Sequence, residues 1–292
     1  MRMNCVQMGS KLIGPGNPCW IVAELGINHN GSLDLAKELV DAAVEAKCDA
    51  VKLQKRTPEL AVPQRIKPLP KETPWGAMTY LEYRKRLEFG RDELFDFDRY
   101  CAARGIPWFA SPWDVPSLEL LEEFNPPAYK IASACVTDSS LLRAIRSAGR
   151  TAICSTGMST MEQIRKAVSV LGTERLVLCH STSAYPASPS ELNLKMIATL
   201  RSEFGVPVGY SGHETGIHLT LAAVAMGACL VERHLTLDQS MWGTDQAASL
   251  EPQSFAQLVS EIRMLESAIG DGVKRIYESE MPSIIRLRKH EN

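Results

Sequence analysis

Residues 206–234 read VPVGYSGHETGIHLTLAAVAMGACLVERH, and this stretch decides the fold. Two short apolar runs, 206–211 and 228–234, flank a segment whose apolar residues recur at helical spacing, which indicates a strand–helix–strand unit. Parallel strands joined by one helix end at the same edge of a sheet. We therefore expect His213 and His234, one near the end of each strand, to lie side by side.

The same alternation of strand and helix extends along the rest of the chain. Six further apolar runs precede this unit, and each is followed by a segment with helical periodicity. They are residues 20–24, 49–54, 106–111, 128–133, 151–155 and 175–180. Eight such units close naturally into a (β/α)8 TIM barrel, the α/β fold class that we expect. A doubly wound open sheet is the alternative, but no Gly-x-Gly-x-x-Gly turn follows the first strand.

Three segments of the expected single domain, 1–292, depart from this rhythm. Residues 1–18 have the turn residues of a short hairpin that could plug the bottom of a barrel. Residues 56–90 form a long insertion rich in proline and charge, either a lid or substrate loop or a mere surface excursion. Residues 271–292 form a mixed, charged tail in which 283–289 is interpreted as a strand or a linker.

Composition excludes several classes of protein. A formal net charge of −2 over 292 residues argues against a nucleic-acid partner or an anionic membrane surface. No apolar stretch is long enough to cross a bilayer, and the N-terminus lacks the pattern of a signal peptide. The eight cysteines are scattered through apolar segments without the spacing of a zinc site, so we expect a cytoplasmic protein with reduced thiols.

Polar residues end nearly every expected strand, where a barrel keeps its active site. They are Glu24, Lys52, Gln54, Ser111, Lys130, Ser133, Ser155, His180, Ser211, His213, Glu232 and His234. Two lysines among serines suit a phosphate or carboxylate, and two neutral imidazoles suit a divalent metal acting as a Lewis acid. Histidines are also commonly hydrogen-bonded within a fold, so spacing alone leaves the metal open. The pattern indicates metal-assisted chemistry on a small anionic molecule, with Glu24 placed to deprotonate or orient a water.

Seven motifs, in this order and spacing, resemble the N-acetylneuraminate (sialic acid) synthase family. They are AELGINHNG at 23–31, VKLQ at 51–54, FASPWD at 109–114, YKIAS at 129–133, STGM at 155–158, GYSGH at 209–213 and ERHLT at 232–236. The family condenses phosphoenolpyruvate with an N-acyl hexosamine, such as N-acetylmannosamine, to give a nonulosonic (sialic-acid-like) acid and phosphate. The resemblance implies a carbon–carbon bond-forming transferase that works as a cytoplasmic homodimer.

The resemblance also implies a role for each matching residue. His213 and His234 would bind a divalent metal, with Mn²⁺ expected first and Mg²⁺ or Co²⁺ as alternatives. The phosphoenolpyruvate-binding residues would be Lys52, Ser111, Lys130, Ser133 and Ser155, and the sugar-binding residues Gln54, Tyr185 and Asp245. Glu24 would be the catalytic residue that handles the water attacking the enolpyruvyl carbon.

The chain departs from the family pattern in three places. Gly212 stands where many members carry an acid before the first metal histidine, and Cys135 stands where a glutamate usually contacts the sugar. The sequence ends at Asn292, where the linker to the C-terminal antifreeze-like domain of most members would begin, so we expect that domain to be either absent or removed. The replacement at Cys135 leaves the identity of the acceptor sugar undecided.

Two other functions suit the same residues. One is a class I Schiff-base aldolase on the same barrel, with Lys52 or Lys130 as the nucleophile. The other is a non-catalytic homologue that binds the sugar or phosphate without turnover.

Overall fold

The structure, a computed structural model, describes residues 5–290. Its strands are β1 (Val6–Met8), β2 (Lys11–Ile13), β3 (Trp20–Gly26), β4 (Ala50–Lys55), β5 (Pro70–Lys71), β6 (Met78–Thr79), β7 (Trp108–Pro112), β8 (Ala128–Ile131), β9 (Thr151–Ser155), β10 (Leu176–Ser181), β11 (Val208–Gly212) and β12 (Leu230–His234). Its helices are α1 (Leu33–Glu45), α2 (Pro58–Ala61), α3 (Tyr80–Leu87), α4 (Arg91–Arg104), α5 (Val115–Glu122), α6 (Ser139–Ser147), α7 (Met161–Leu171), α8 (Met196–Phe204), α9 (His218–Ala225), α10 (Pro252–Ile269) and α11 (Met281–Leu287).

Eight parallel strands close into a barrel in the order β10-β11-β12-β3-β4-β7-β8-β9, and the predicted (β/α)8 fold is confirmed. Closure is made between β12 and β3, where His234 pairs with Glu24 in the parallel register. Helices cover the outer face of the strands, as the strand–helix alternation predicted. Among residues 5–290, no helix is both long and apolar enough to cross a membrane.

Alternate residues of each barrel strand point into the barrel. These inward residues are apolar near the start of the strand and polar near its carboxyl end. In β3, Trp20 and Val22 belong to the apolar cluster inside the barrel, whereas Glu24 lines a cavity above it. In β12, Leu230 belongs to the same apolar cluster, and His234 lines the cavity. The interior therefore has an apolar lower layer and a polar upper layer at the carboxyl ends of the strands.

The β1–β2 hairpin closes the lower end of the barrel, as expected from residues 1–18. Val6, Met8 and Ile13 are buried and join the apolar cluster inside the barrel. Thr151 at the start of β9 donates a hydrogen bond to the carbonyl of Gln7. The hairpin therefore extends the apolar lower layer, and the polar layer of the described barrel lies at the opposite end.

The insertion 56–90 is ordered. It contains α2, the β5–β6 hairpin and α3, and Thr79 with Glu82 forms a capping box at the start of α3. The ring of Trp75 lies 5.6 Å, centroid to centroid, from that of Trp242 in the loop after β12. The insertion is therefore tied to the loop that follows the eighth barrel strand.

Two details of the predicted secondary structure are wrong. The helical periodicity that follows the run 175–180 predicts a helix over 191–204, but α8 begins only at Met196, because Asn193 adopts a left-handed backbone conformation that interrupts it. The segment 283–289, interpreted as a strand or a linker, instead belongs largely to α11, where Pro282 lies in the first turn. Proline favours that position because its fixed φ suits a helix start.

A buried ion pair joins the outer face of β12 to α9. Arg233 is fully buried, and its Nη1 lies 3.0 Å from Glu214 Oε1. The same guanidinium donates to Thr220 Oγ1 and to the carbonyl of Gly216. Tyr210 donates its hydroxyl hydrogen to Glu214 Oε2 at 2.8 Å. The charge of Arg233 is thus neutralised by a single carboxylate.

We expect Glu214→Gln to lower the free energy of unfolding by about 3–5 kcal/mol, because it leaves the buried guanidinium without its counter-charge. Urea titration would measure the change. Glu203→Gln is the matched control, since Glu203 pairs with Arg165, an arginine with a largely exposed side chain, and should cost less than about 1 kcal/mol. Equal effects of the two substitutions would contradict the role of the buried pair.

Candidate active site

A cavity of about 230 Å³ lies at the carboxyl end of the barrel strands. Ten of the eleven predicted site residues line it: Glu24, Lys52, Gln54, Ser111, Lys130, Ser133, Ser155, Tyr185, His213 and His234. Asp245 is not part of the lining, although its Oδ2 lies 3.9 Å from His234 Nδ1. The chain thus brings nearly all of the predicted residues to one place.

Two lysines and two glutamates alternate in the polar layer at the floor of this cavity. Lys52 Nζ lies 2.7 Å from Glu24 Oε2 and 3.7 Å from Glu232 Oε1. Lys130 Nζ lies 2.7 Å from Glu232 Oε1. All four side chains are buried. Each charge therefore has an opposite charge within the layer. The free-energy cost of burying any one of these charges is offset only when the others are buried with it.

The ionisation of this layer follows from that arrangement. Burial acts to raise the pKa of Glu232, but the ammonium groups of Lys130 and Lys52 outweigh it and lower the pKa to about 2. Burial acts to lower the pKa of Lys130, but Glu232 more than compensates and the pKa is raised. Glu232 is thus an anion and Lys130 a cation at neutral pH.

Serine hydroxyls surround the lysines. Ser111 accepts a hydrogen bond from Lys52 Nζ at 3.0 Å. Ser155 Oγ and Ser181 Oγ are buried and have no hydrogen-bond partner within residues 5–290. Buried hydroxyls without partners, beside buried ammonium groups, are suited to receive an oxyanion.

Gly157 allows two more hydroxyls to converge on the cavity. A Cβ at this position would lie 2.7 Å from Ser133 Oγ and would also collide with Ser183 Oγ. Both serines line the cavity. A residue with a side chain would therefore displace them, which explains the glycine in the loop after β9.

The rings of His213 and His234 lie side by side, with centroids 5.5 Å apart. His213 Nδ1 lies 2.8 Å from the carbonyl of Thr182, which can only accept, so Nδ1 carries the hydrogen and Nε2 keeps its lone pair. Burial first, and the neighbouring His234 second, lower the pKa of His213 to about 3. His213 is therefore neutral at neutral pH, as a metal ligand must be.

The donor atoms fit a divalent metal in part. His234 Nδ1 is buried and has no hydrogen-bond partner in the described chain. Within residues 5–290 no group of three His, Cys, Asp or Glu side chains is arranged to hold a metal. The pair of imidazoles is thus a two-donor site, and such a site needs water or substrate oxygen to complete it.

Tyr185 and Gln54 both line the cavity. The Tyr185 ring lies 4.1 Å, centroid to centroid, from that of His213, and Tyr185 is about half exposed. Gln54 Nε2 donates to Glu24 Oε1 at 3.0 Å. These two residues lie where a substrate that enters the cavity would meet the histidines and Glu24.

Sequence reasoning assigned β10 incorrectly at its end. It ended the strand at His180 and placed that side chain at the mouth, but His180 is absent from the cavity lining and its Nε2 is hydrogen-bonded to the carbonyl of Leu192. The strand continues to Ser181, which does line the cavity. Counting alternate residues from Val177 and Cys179, both inside the barrel, would have found Ser181.

Trp113 and Ser183 also line the cavity and were not among the predicted site residues. Both lie just beyond a strand end, so strand periodicity does not reach them. Trp113 belongs to the FASPWD motif, which was the one signal available for it.

The structure locates two of the three departures from the family pattern, Gly212 and Cys135. A Cβ at Gly212 would lie 2.5 Å from Glu214 Oε2 and from Tyr210 Cε1, so the carboxylate of Glu214 already occupies that space. Cys135 is buried in the apolar layer between the barrel and its helices, and it does not line the cavity.

Comparison with known proteins places these features in a family. The NeuB family model matches residues 39–274. Human N-acetylneuraminate-9-phosphate synthase is 37% identical over 282 residues, which cover 95% of this chain and 78% of that protein. N,N'-diacetyllegionaminic acid synthase from Campylobacter jejuni is 37% identical over 276 residues, which cover 92% of this chain and 83% of that protein.

A solved structure agrees with these matches. The crystal structure of N-acetylneuraminic acid (sialic acid) synthetase from Leptospira borgpetersenii, in complex with citrate, superposes with a TM-score of 0.87 at 33% identity and covers 99% of both chains. The resemblance inferred from the seven motifs is confirmed, as is the expectation of an enzyme of the synthase type. On the extent of the family match and these identities, the chain belongs to the NeuB family.

Proposed function

We propose that this protein condenses phosphoenolpyruvate with an N-acyl hexosamine, such as N-acetylmannosamine or an analogue, to give a nonulosonic acid and phosphate. The observation that supports this most is that two lysines, free serine hydroxyls and two imidazoles share one cavity. Family membership supports the same reaction class.

In this proposal the phosphate and carboxylate of phosphoenolpyruvate are bound by the cationic side of the layer. Lys52 and Lys130 supply the charge, and the hydroxyls of Ser111, Ser133 and Ser155 supply further hydrogen bonds. The hydroxyl of Ser155 is available because it has no partner in the described structure. Fixed donors around a buried anion cost little reorganisation when the substrate binds.

The proposed reaction forms one carbon–carbon bond and breaks the C–O bond to phosphate. The methylene carbon of phosphoenolpyruvate bonds to the aldehyde carbon of the open-chain sugar, and the aldehyde oxygen takes up a proton. Water adds to C2 of the enolpyruvyl group, and phosphate leaves as the C–O bond breaks. Glu24 is the residue we assign to accept the proton of that water, because its carboxylate lines the cavity beside Lys52.

The acceptor sugar is assigned to the side of the cavity that holds the histidines. Gln54, Tyr185 and Asp245 would contact it. His213 and His234 would hold a divalent cation, Mn²⁺ first with Mg²⁺ or Co²⁺ as alternatives, which when bound supplies a Lewis acid for the sugar aldehyde. The free lone pair of His213 Nε2 and the unpartnered Nδ1 of His234 support this assignment.

We also propose a cytoplasmic homodimer. All eight cysteines are free thiols, which suits a reducing compartment. Apolar residues of the tail, Ile276, Ile285 and Leu287, are each more than half exposed, and a second copy of the chain would give them a partner.

The reaction itself is tested by phosphate release. The protein is mixed with phosphoenolpyruvate, Mn²⁺ and each of a panel of N-acyl hexosamines, and the product mass is recorded. We expect phosphate release with at least one sugar and a product heavier than that sugar by the pyruvate unit. Binding of phosphoenolpyruvate without release in any mixture would favour the non-catalytic alternative.

The metal assignment is tested by Mn²⁺ binding. We expect His213→Ala to weaken Mn²⁺ affinity by more than about 100-fold, since even the loss of a residue behind a metal ligand costs about 10–100-fold. Mn²⁺ titration followed by electron paramagnetic resonance measures it. His218→Ala is the control, because His218 is exposed on α9 and outside the cavity. Unchanged affinity in His213→Ala would remove this histidine from the site.

The aldolase alternative is tested by borohydride reduction in the presence of pyruvate. A Schiff base needs a neutral lysine, whereas Glu232 raises the pKa of Lys130 and keeps it charged. We therefore expect no mass increase on Lys52 or Lys130 by peptide mass spectrometry. A pyruvate adduct on either lysine would support the aldolase instead.

A further inference from the structure

Arg56 lies directly behind the cavity wall, and its position is fixed from several sides. Its backbone N–H donates to Glu88 Oε2 at 2.9 Å, and its carbonyl accepts from Lys55 Nζ at 2.9 Å. Its guanidinium carbon lies 3.8 Å from the centroid of the Trp113 ring, which lines the cavity. The side chain is buried. Arg56 is therefore a rigid donor group and not a mobile surface arginine.

A hydrogen-bond chain runs from this guanidinium into the cavity. Arg56 Nη2 donates to Gln54 Oε1. Gln54 Nε2 donates to Glu24 Oε1 at 3.0 Å, and the other oxygen of Glu24 lies 2.7 Å from Lys52 Nζ. Arg56 itself does not line the cavity. Its hydrogen-bond connection to Glu24 thus runs through the amide of Gln54.

The hydrogen bonds from the guanidinium through the amide to the carboxylate can be donated in only one direction. A guanidinium can only donate hydrogen bonds, and a carboxylate can only accept them. The Gln54 amide has two ends of nearly equal shape, so its orientation depends on its partners. A rotated amide would set its oxygen against a Glu24 oxygen and its NH₂ against the Arg56 guanidinium. The Arg56 guanidinium therefore keeps the NH₂ end directed at Glu24.

We infer that Arg56 is a positioning residue for Glu24 and acts through Gln54. This inference rests on the proposed role of Glu24 in handling the attacking water. Glu24 is held on one oxygen by Lys52 and on the other by Gln54, so its carboxylate plane has one orientation. Without Arg56 the amide can turn, and one of the two restraints on the carboxylate is lost.

A double-mutant cycle tests the connection through Gln54. The four proteins are the parent, Arg56→Met, Gln54→Ala and the double variant, each assayed for phosphate release. We expect Arg56→Met to lower kcat by about tenfold or more while KM for phosphoenolpyruvate stays within about twofold. In the Gln54→Ala background the same change should lower kcat by less than about twofold, because the connection is already absent. Arg56→Lys should recover part of kcat, since an ammonium also only donates.

Arg84→Met is the matched control. Arg84 is equally buried, and its Nη2 lies 3.9 Å from the same Glu88 Oε1 that Arg56 Nη1 approaches at 3.9 Å. No hydrogen bond of Arg84 to Gln54 is present among residues 5–290. We expect its kcat within about twofold of the parent. A loss in Arg84→Met equal to that in Arg56→Met, or losses that multiply in the double variant, would show that Arg56 only supports the fold.

A second measurement does not depend on turnover. The side-chain ¹⁵N–¹H₂ signals of Gln54, assigned by their absence in Gln54→Ala, report on the amide directly. We expect restricted motion in the parent and in Arg84→Met, and a clear rise in mobility in Arg56→Met. An unchanged Gln54 signal in Arg56→Met would overturn the inference. An inactive parent with the expected signals would contradict the proposed function and leave the positioning contact standing.

Discussion

The structure depends on a requirement of electrostatics: two ammonium groups are buried inside the barrel, and each needs a counter-charge within a few ångströms. Lys52 and Lys130 meet it by alternating with Glu24 and Glu232. No member of this set is stable in the interior alone, because an isolated buried charge costs far more than the fold can offset. The layer therefore behaves as one unit, and it brings two ammonium groups and two carboxylates together at the floor of the cavity.

The barrel makes such a layer attainable because its strands alternate with a period of two. A strand that begins with two apolar inward residues fills the lower barrel, and its next inward residue reaches the cavity. Trp20, Val22 and Glu24 of β3 follow this order. The hairpin β1–β2 then seals the apolar end. The inward polar side chains of these strands therefore lie at the carboxyl ends, independently of the loops that follow.

This periodicity also explains how much could be predicted from the sequence. The fold and nine of the ten predicted residues that line the cavity followed from the eight apolar runs and the motifs at their ends, whereas Tyr185 lies in neither. Ser181 was missed because the strand was ended one residue early, and His180 was placed on the wrong side for the same reason. The alternation of inward and outward residues predicts nothing beyond the end of a strand. It therefore could not predict that Trp113, which follows β7, lines the cavity.

Other features depended on contacts between distant segments. The guanidinium of Arg56 is placed by contacts with Trp113 and Glu88, which are distant in sequence, and no local pattern encodes those contacts. The space beside Gly212 is filled by Glu214, which only packing shows. Helical periodicity failed at Asn193, where a left-handed backbone conformation delays the start of α8 to Met196. Tertiary packing decided the first two of these features, and local backbone conformation decided the third.

The contact between Trp75 and Trp242 has a consequence for how acceptor preference can diverge among such enzymes. It joins the insertion to the loop after β12, which also carries Asp245, so the two loops form a single module near the cavity. Transplanting one loop from a relative without the other would leave a tryptophan facing a mismatched surface. A change of acceptor selectivity is thus expected to require both loops together, and it needs no change in the layer of lysines and glutamates.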